Sequence, residues 1–453
     1  MLEKVIKFAN QTSALNFLLI ILALGFILRT CAWFYFGPHL FGDYGKSDFH
    51  DLLTYSAAGD WEATLNDGRI YQPVYPLLWF PGFNANFESI YIFCLHQIFS
   101  IGSILIVYLT SKKLFGIYFG LLSAFFIAIN MDIIFWFSWA YADNAFYFFL
   151  SFLALTTINL FIERKLINYV FFVSSGLLAM LTRPEGLFVF LAAFFLLIFL
   201  YISEKISIKK SIFIVLTLLL FLSSITISLI FLQKDFRNAF INNFHISIAL
   251  YVSSKLASNS PEEQNYLYST GMPEDIRKFK EESFTKAYLQ GDKILNSPLS
   301  KIGGKGFVQN LDCTICNKDA ESKIRYILGT IGLEFIKENP IEWIKMYIVR
   351  LGANTFPSLF SPFWSLSHQL YSFVISFSLI IGASLVLFFK DPRRFLASAV
   401  TLMAFALILM INFFQREIDY RVPVSTYILF SITAPYGWYK FYTFLKESFL
   451  HND

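Results

Sequence analysis

The sequence predicts an all-α polytopic membrane protein: a bundle of about 10–11 transmembrane helices with an external loop helix and a small extracytoplasmic region. Three observations carry that expectation. Of 453 residues, 56% are hydrophobic and only 15% charged, with a mean hydropathy of +0.56; a soluble domain averages about 25% charged. Apolar runs of about 20 residues, the length that crosses a bilayer, recur along the chain. Between them the charges collect in short turns and in one long hydrophilic stretch. A net charge of +4 is too small to suggest nucleic acid as a partner, and four cysteines are too few for a disulfide scaffold.

The elements follow in order. Lys4 and Lys7 precede a first span at 14–36, which outlasts a signal-peptide core, has no clear cleavage site and reads as an uncleaved helix. Further spans are expected at 89–110, 114–130, 140–162, 168–182 and 186–202, the last two separated by Arg183-Pro184-Glu185, because proline stops a helix from continuing. A seventh lies at 211–233, and three more at 371–389, 395–413 and 424–442. The chain thus divides into an N-terminal membrane module (1–233) with an external loop at 37–88, an extracytoplasmic region (234–368), and C-terminal transmembrane helices (369–453). Residues 341–360 carry Glu342, Lys345, Arg350 and Asn354 in an apolar context and read as an interfacial helix.

Lys112 and Lys113, Arg164 and Lys165, Lys205, Lys209 and Lys210, and Lys390 with Arg393 fall at alternate span ends. Positive charge in short loops marks the cytoplasmic side, so both termini are expected there. The acidic loop, the turn at 132–143, Arg183–Glu185 and the turn at 415–421 then share the opposite face, which makes it the expected site of function.

In the acidic loop, Ser47 can cap a helix on which Asp48, Asp51 and Tyr55 share one face. Two carboxylates and a phenol there could serve as general base toward a hydroxyl, or hold a divalent cation through oxygen. The alternative is a solvated loop whose acids favour a helix N-terminus. Tyr71-Gln-Pro-Val-Tyr75-Pro76 is a proline-stiffened lead-in to the second span. Asp143 opens the fourth span. Arg183 could pair with Glu185 or receive a phosphate, for which the guanidinium fork is suited. Arg416 and Arg421 place two more cations on the face where the orientation rule disfavours them, and an anionic lipid phosphate is the obvious compensating ligand. Cys313 and Cys316 form a single C-x-x-C; with no second pair for zinc, a local disulfide is favoured over a redox pair. No nucleotide-binding loop or serine-nucleophile motif is present.

The order Asp51-x-x-x-Tyr55-x-x-Ala58, Gln72-Pro-Val-Tyr75-Pro76, an acid opening the fourth span, Thr182-Arg-Pro-Glu-Gly186 and Tyr420-Arg-Val-Pro423 resembles the GT-C superfamily of integral-membrane glycosyltransferases, in particular the protein-mannosyltransferase and aminoarabinose-transferase group. The likeness covers mainly residues 14–200 and, weakly, 340–430. It implies a polyprenyl-phosphate-linked sugar donor, an acceptor that is a lipid-linked glycan, lipopolysaccharide or protein, and transfer on the extracytoplasmic side of a bacterial inner membrane. By Tyr spacing the base falls on Asp51; Asp48-Phe49 matches a related Asp-Phe pattern, and the choice stays open. Donor phosphate then falls to Arg421, Arg183 and Arg416, and substrate contacts to Tyr55, Asp143, Glu185 and Tyr75. Gln72 stands where some relatives have Lys, which shifts the phosphate toward the arginines. No cofactor is required by this reading beyond the divalent metal that the Asp48–Asp51 pair could hold. The competing classes are a transporter or flippase, and an O-antigen ligase or polymerase, for lipid-linked glycans.

Overall fold

The computed structural model describes residues 2–36, 58–59, 74–84, 88–137, 142–163, 165–183, 185–203, 340–341, 351, 355, 366–389, 394–414 and 424–450. Among these the secondary structure is helical, with no strand. The helices, labelled in chain order, are α1 (Leu2–Phe36), α2 (Val74–Asn84), α3 (Glu88–Phe115), α4 (Ile117–Ile129), α5 (Met131–Trp136), α6 (Asp143–Glu163), α7 (Leu166–Thr182), α8 (Glu185–Ser203), α9 (Leu366–Leu385), α10 (Arg394–Phe414) and α11 (Val424–Leu450). By length and composition three of the described helices can cross a membrane: Ser13–Tyr35, Ile90–Phe115 and Asp143–Glu163. At about 1.5 Å per residue, each exceeds or approaches the ~30 Å of a hydrocarbon core. Ile117–Ile129, Leu166–Thr182, Gln369–Leu385 and Leu396–Leu409 are apolar but shorter.

The chain falls into two compact units, 1–227 with 361–408 and 420–453, and 228–360 with 409–419. In the second, the Thr355 hydroxyl donates to the Leu351 carbonyl at 2.6 Å, as a helix-borne threonine does one turn back. The expected seventh span at 211–233 and most of the interfacial segment at 341–360 lie outside the described residues.

In the first unit, α1 shows how the bundle is built. Ala14, Leu18, Ile21, Gly25, Arg29 and Ala32 recur at three- and four-residue steps and are buried. Leu15, Phe17, Ile20 and Ile27 between them are more than half exposed. A helix that is apolar on both faces, one packed and one bare, suits a lipid surround. Cys31 and Cys94 likewise sit on exposed faces. A thiol is apolar enough to face lipid.

The third expected span needs correction. Residues 114–130 are not one helix: α3 continues through Phe115, and the chain turns at Gly116, where φ is 104°, before α4 begins. That conformation favours glycine, and it folds α4 back along α3. The 13 residues of α4 rise only about 20 Å. At its far end Asn130 stops the helix and caps α5, its side chain accepting from Ile133 N–H at 3.1 Å.

α9 and α11 cross where Gly382 and Gly437 face each other; a Cβ on either would run into the partner backbone. Such small-residue crossings let helices approach closely without a hydrophobic driving force between them. Trp438 Nε1 donates to Ser378 O at 2.8 Å beside the crossing, and Thr401 of α10 meets Thr433 of α11 at 3.0 Å.

Two ends of this unit are defined by contacts between helices. At one, His96 near the start of α3 meets Tyr75 of α2 and Asn144 at the start of α6, and Gln97 donates to Thr30 of α1. At the other, Lys113 at the end of α3 meets Asn159 and Glu163 at the end of α6, and Phe115 stacks on Tyr436 of α11 with centroids 4.1 Å apart. We call these the His96 end and the Lys113 end.

Candidate functional site

The polar side chains of the His96 end are buried and engage one another. Tyr75 and His96 are fully buried, and the Tyr75 hydroxyl lies 2.8 Å from His96 Nε2. His96 Nδ1 is 2.9 Å from the Phe137 carbonyl, which can only accept. Nδ1 therefore carries the proton, Nε2 is the acceptor, and the tyrosine hydroxyl donates to it. Asn144 Nδ2 lies 3.3 Å from the same Nδ1 and donates to the Trp136 carbonyl at 3.4 Å. The imidazole thus ties α2 to the end of α5, and Asn144 ties the start of α6 to the same end through the Trp136 carbonyl. Trp79, one turn along α2 from Tyr75, packs its ring 5.8 Å from the phenol.

Asp143, beside Asn144, opens α6 with 1% of its surface exposed. Its Oδ1 lies 2.5 Å from Arg183 Nη1. Glu185 opens α8 and takes the other edge of the guanidinium, with Oε2 3.3 Å from Nε and Oε1 3.3 Å from Nη2. Arg183 itself is the extended residue that closes α7 before Pro184, its N–H bonded to Ala179 O at 3.0 Å. Both acids sit at helix N-termini, where the backbone dipole favours negative charge. The guanidinium bridges them.

Arg29 is fully buried. It bonds Ser100, and the carbonyls of Gly25, Ala128 and Ile127 at 3.1, 3.1 and 3.2 Å. Two of those carbonyls are the unpaired C-terminal ones of α4, so the cation completes that helix end. The Tyr371 hydroxyl donates to the next carbonyl, Ile129 O, at 3.1 Å.

Asp132, in the turn helix α5, is 3% exposed. Ser376 of α9 donates to its Oδ2 at 3.4 Å. Burial pushes its carboxyl up to about 7, against the opposing pull of the Ser376 and Ser372 hydroxyls.

Of the residues expected from the sequence, Asp143, Arg183 and Glu185 come together directly, and Tyr75 stands at the same end, bonded to His96. Arg183 has its Nε and both terminal nitrogens engaged by carboxylates. Asp48, Asp51, Tyr55, Arg416, Arg421, Cys313 and Cys316 lie outside the described residues. The flanks of the acidic loop are described, and both are at the His96 end: Trp33 packs on Phe93 and Phe137, and Tyr75 bonds His96. Among the described residues no three His, Cys, Asp or Glu side chains gather as a metal site. His96, Asn144, Arg29 and Asp132 are the polar residues that sequence reasoning left without a role. The signal was an ionisable or amide side chain inside, or at the lip of, an apolar run.

No model of a known family matches the chain, and no curated protein matches it.

Proposed function

We propose that the protein is an integral-membrane glycosyltransferase of the GT-C kind, with about 10–11 spans and both termini in the cytoplasm of a bacterial inner membrane. It transfers a sugar from a polyprenyl-phosphate donor to a lipid-linked glycan, lipopolysaccharide or protein on the extracytoplasmic side. The observation that supports this reading is the gathering of Tyr75, Asp143, Arg183 and Glu185 at the end where both flanks of the acidic loop sit. The opposite end carries the exposed Lys113–Glu163–Lys165 cluster, as a cytoplasmic face would.

In this mechanism an acceptor hydroxyl attacks the anomeric carbon while Asp51 or Asp48 takes its proton, and the bond to the phosphate oxygen breaks. Polyprenyl phosphate leaves, held by Arg421 and Arg416 through paired hydrogen bonds. Arg183 serves as the bridge that lets two carboxylates stand side by side. Asp143 and Glu185 then have acceptor oxygens fixed in place for sugar hydroxyls, and Tyr75 has its hydroxyl fixed by His96. A divalent cation on the Asp48–Asp51 pair would add charge stabilisation at the leaving phosphate.

The test is turnover of labelled polyprenyl-phosphate sugars by membranes containing the protein. Asp51→Asn is expected to lower turnover about 100-fold or more at normal expression, with Asp48→Asn measured beside it. Wild-type turnover in both variants removes the assignment of the base. Movement of the labelled donor across the membrane without sugar release instead supports the transporter reading. That reading has one observation in its favour, a buried Asp132 with no cation paired to it among the described residues.

A further inference from the structure

Asp132 poses a problem that the transferase reading does not address. A carboxylate taken out of water is costly unless something neutralises it. Among the described residues the two arginines placed inside the bundle are committed elsewhere, Arg29 to Ser100 and backbone carbonyls, Arg183 to Asp143 and Glu185. What surrounds Asp132 is a set of hydroxyls. Ser372 and Ser376 are one helical turn apart on α9 and so share its face. Ser376 bonds Oδ2 at 3.4 Å, and Tyr427 of α11 shares a side-chain hydrogen bond with Ser376. Tyr427 and Ser376 are fully buried, and Ser372 is 2% exposed. Ser372, on the face of α9 that meets Asp132, has its buried Oγ without a hydrogen bond among the described residues. A buried hydroxyl left unsatisfied one turn from the one that bonds the acid has lone pairs to offer a third party.

We propose that the Asp132 carboxylate, with the hydroxyls of Ser372, Ser376 and Tyr427, binds a monovalent cation of the sodium type between α5, α9 and α11. The donors are all hard oxygens, which suit alkali and alkaline-earth ions over transition metals. One carboxylate neutralises one positive charge; a divalent ion would leave a buried surplus and normally draws on more acidic ligands. The frame is fixed before the ion arrives: Asn130 caps α5, Tyr371 bonds Ile129 O, and Arg29 holds the end of α4. The site is separate from the acids bridged by Arg183 and does not depend on the transferase reading.

The experiment is thermal unfolding of the full chain in detergent, at slightly alkaline pH and constant ionic strength, as sodium chloride replaces choline chloride. Sodium should raise the melting temperature along a saturating curve, since a ligand bound only by the folded state stabilises as RT ln(1 + [L]/Kd). Asp132→Asn should abolish the response, and Ser372→Ala should move half-saturation to several-fold higher sodium without changing charge. The serine variant stands as the test should the asparagine variant fold poorly. Equal melting temperatures in the two salts overturn the site, as does a sodium response that survives in both variants. A carboxyl that is merely protonated gives a different pattern. Its pKa lies above the unfolded 3.8, so stability would fall as pH rises from there towards about 7, equally in both salts.

Discussion

At the Lys113 end, Glu163 stands between two lysines, 2.9 Å from Lys113 Nζ and 3.2 Å from Lys165 Nζ, with side chains 28–69% exposed. At the His96 end, Asp143 meets Arg183 at 2.5 Å with side chains 1% and 12% exposed. Both ends hold acids and bases in pairs, but only the second has removed them from solvent. Charges at a solvated helix end can be arranged loosely, because water screens whatever is left unmatched. Buried charges must be matched in position and number, or the fold bears the desolvation cost. Exposed pairs therefore report where the helices end, and buried pairs report what the helices are arranged around.

The comparison breaks first at Arg183. Arg183→Ala leaves Asp143 and Glu185 facing each other with no cation between them, and should cost about 3–5 kcal/mol of stability, as loss of one partner from a buried pair does. The measurement is thermal or denaturant unfolding in detergent. Adding Asp143→Asn and Glu185→Gln to that variant should recover most of the loss, since amides need no counter-ion. No recovery would mean that the guanidinium acts as packing volume instead of as charge.

How far the sequence carried differs between fold and site. The helices between residues 88 and 203 begin and end within a few residues of where apolar runs, lysine pairs and Pro184 mark them. The break between the second and third spans was placed at the lysine pair, a few residues before Gly116, because a turn made by one positive-φ glycine leaves no gap in hydropathy. Asp143, Arg183 and Glu185 stood out as charges at the edges of apolar runs. That they would form one cluster was not legible, because 40 residues separate Arg183 from Asp143 and only the antiparallel return of α7 along α6 brings them together. Asp132 was legible only as the start of a polar turn on the outer face. Its partner Ser376 is 244 positions away, and no local pattern announces a hydroxyl supplied from that distance. His96 hid for another reason: one histidine in an apolar helix is conspicuous only once its two nitrogens have named partners.

His96 supplies the intermediate effect. His96→Phe keeps the ring but strands the Tyr75 hydroxyl and the Phe137 carbonyl in a dry interior, at a cost of about 1–3 kcal/mol for unsatisfied buried groups. Tyr75→Phe strands only His96 Nε2 and should cost less. The double variant should lose less than the sum of the two, because the tyrosine hydroxyl has already gone. Additive losses would show that the Tyr75–His96 bond is not the link between α2 and α3.

The smallest effect is expected at Lys113. Its ammonium also bonds Asn159 at 2.6 Å, so Lys113→Ala removes two side-chain partners, as Arg183→Ala does at Asp143 and Glu185. If the number of contacts set the stability of an end, the two alanine variants would be comparable. If desolvation sets it, Lys113→Ala should leave the melting temperature where it is, since water takes over at Glu163 and Asn159, and Lys165 remains beside the carboxylate. Salt gives an independent reading of the same contrast. Raising ionic strength should mute whatever small shift Lys113→Ala produces while leaving the Arg183→Ala loss nearly unchanged, because screening reaches exposed pairs far better than buried ones. A Lys113→Ala loss as large as that of Arg183→Ala, and equally resistant to salt, would place the Lys113 end inside a partner surface or the bilayer and undo the distinction between the two ends.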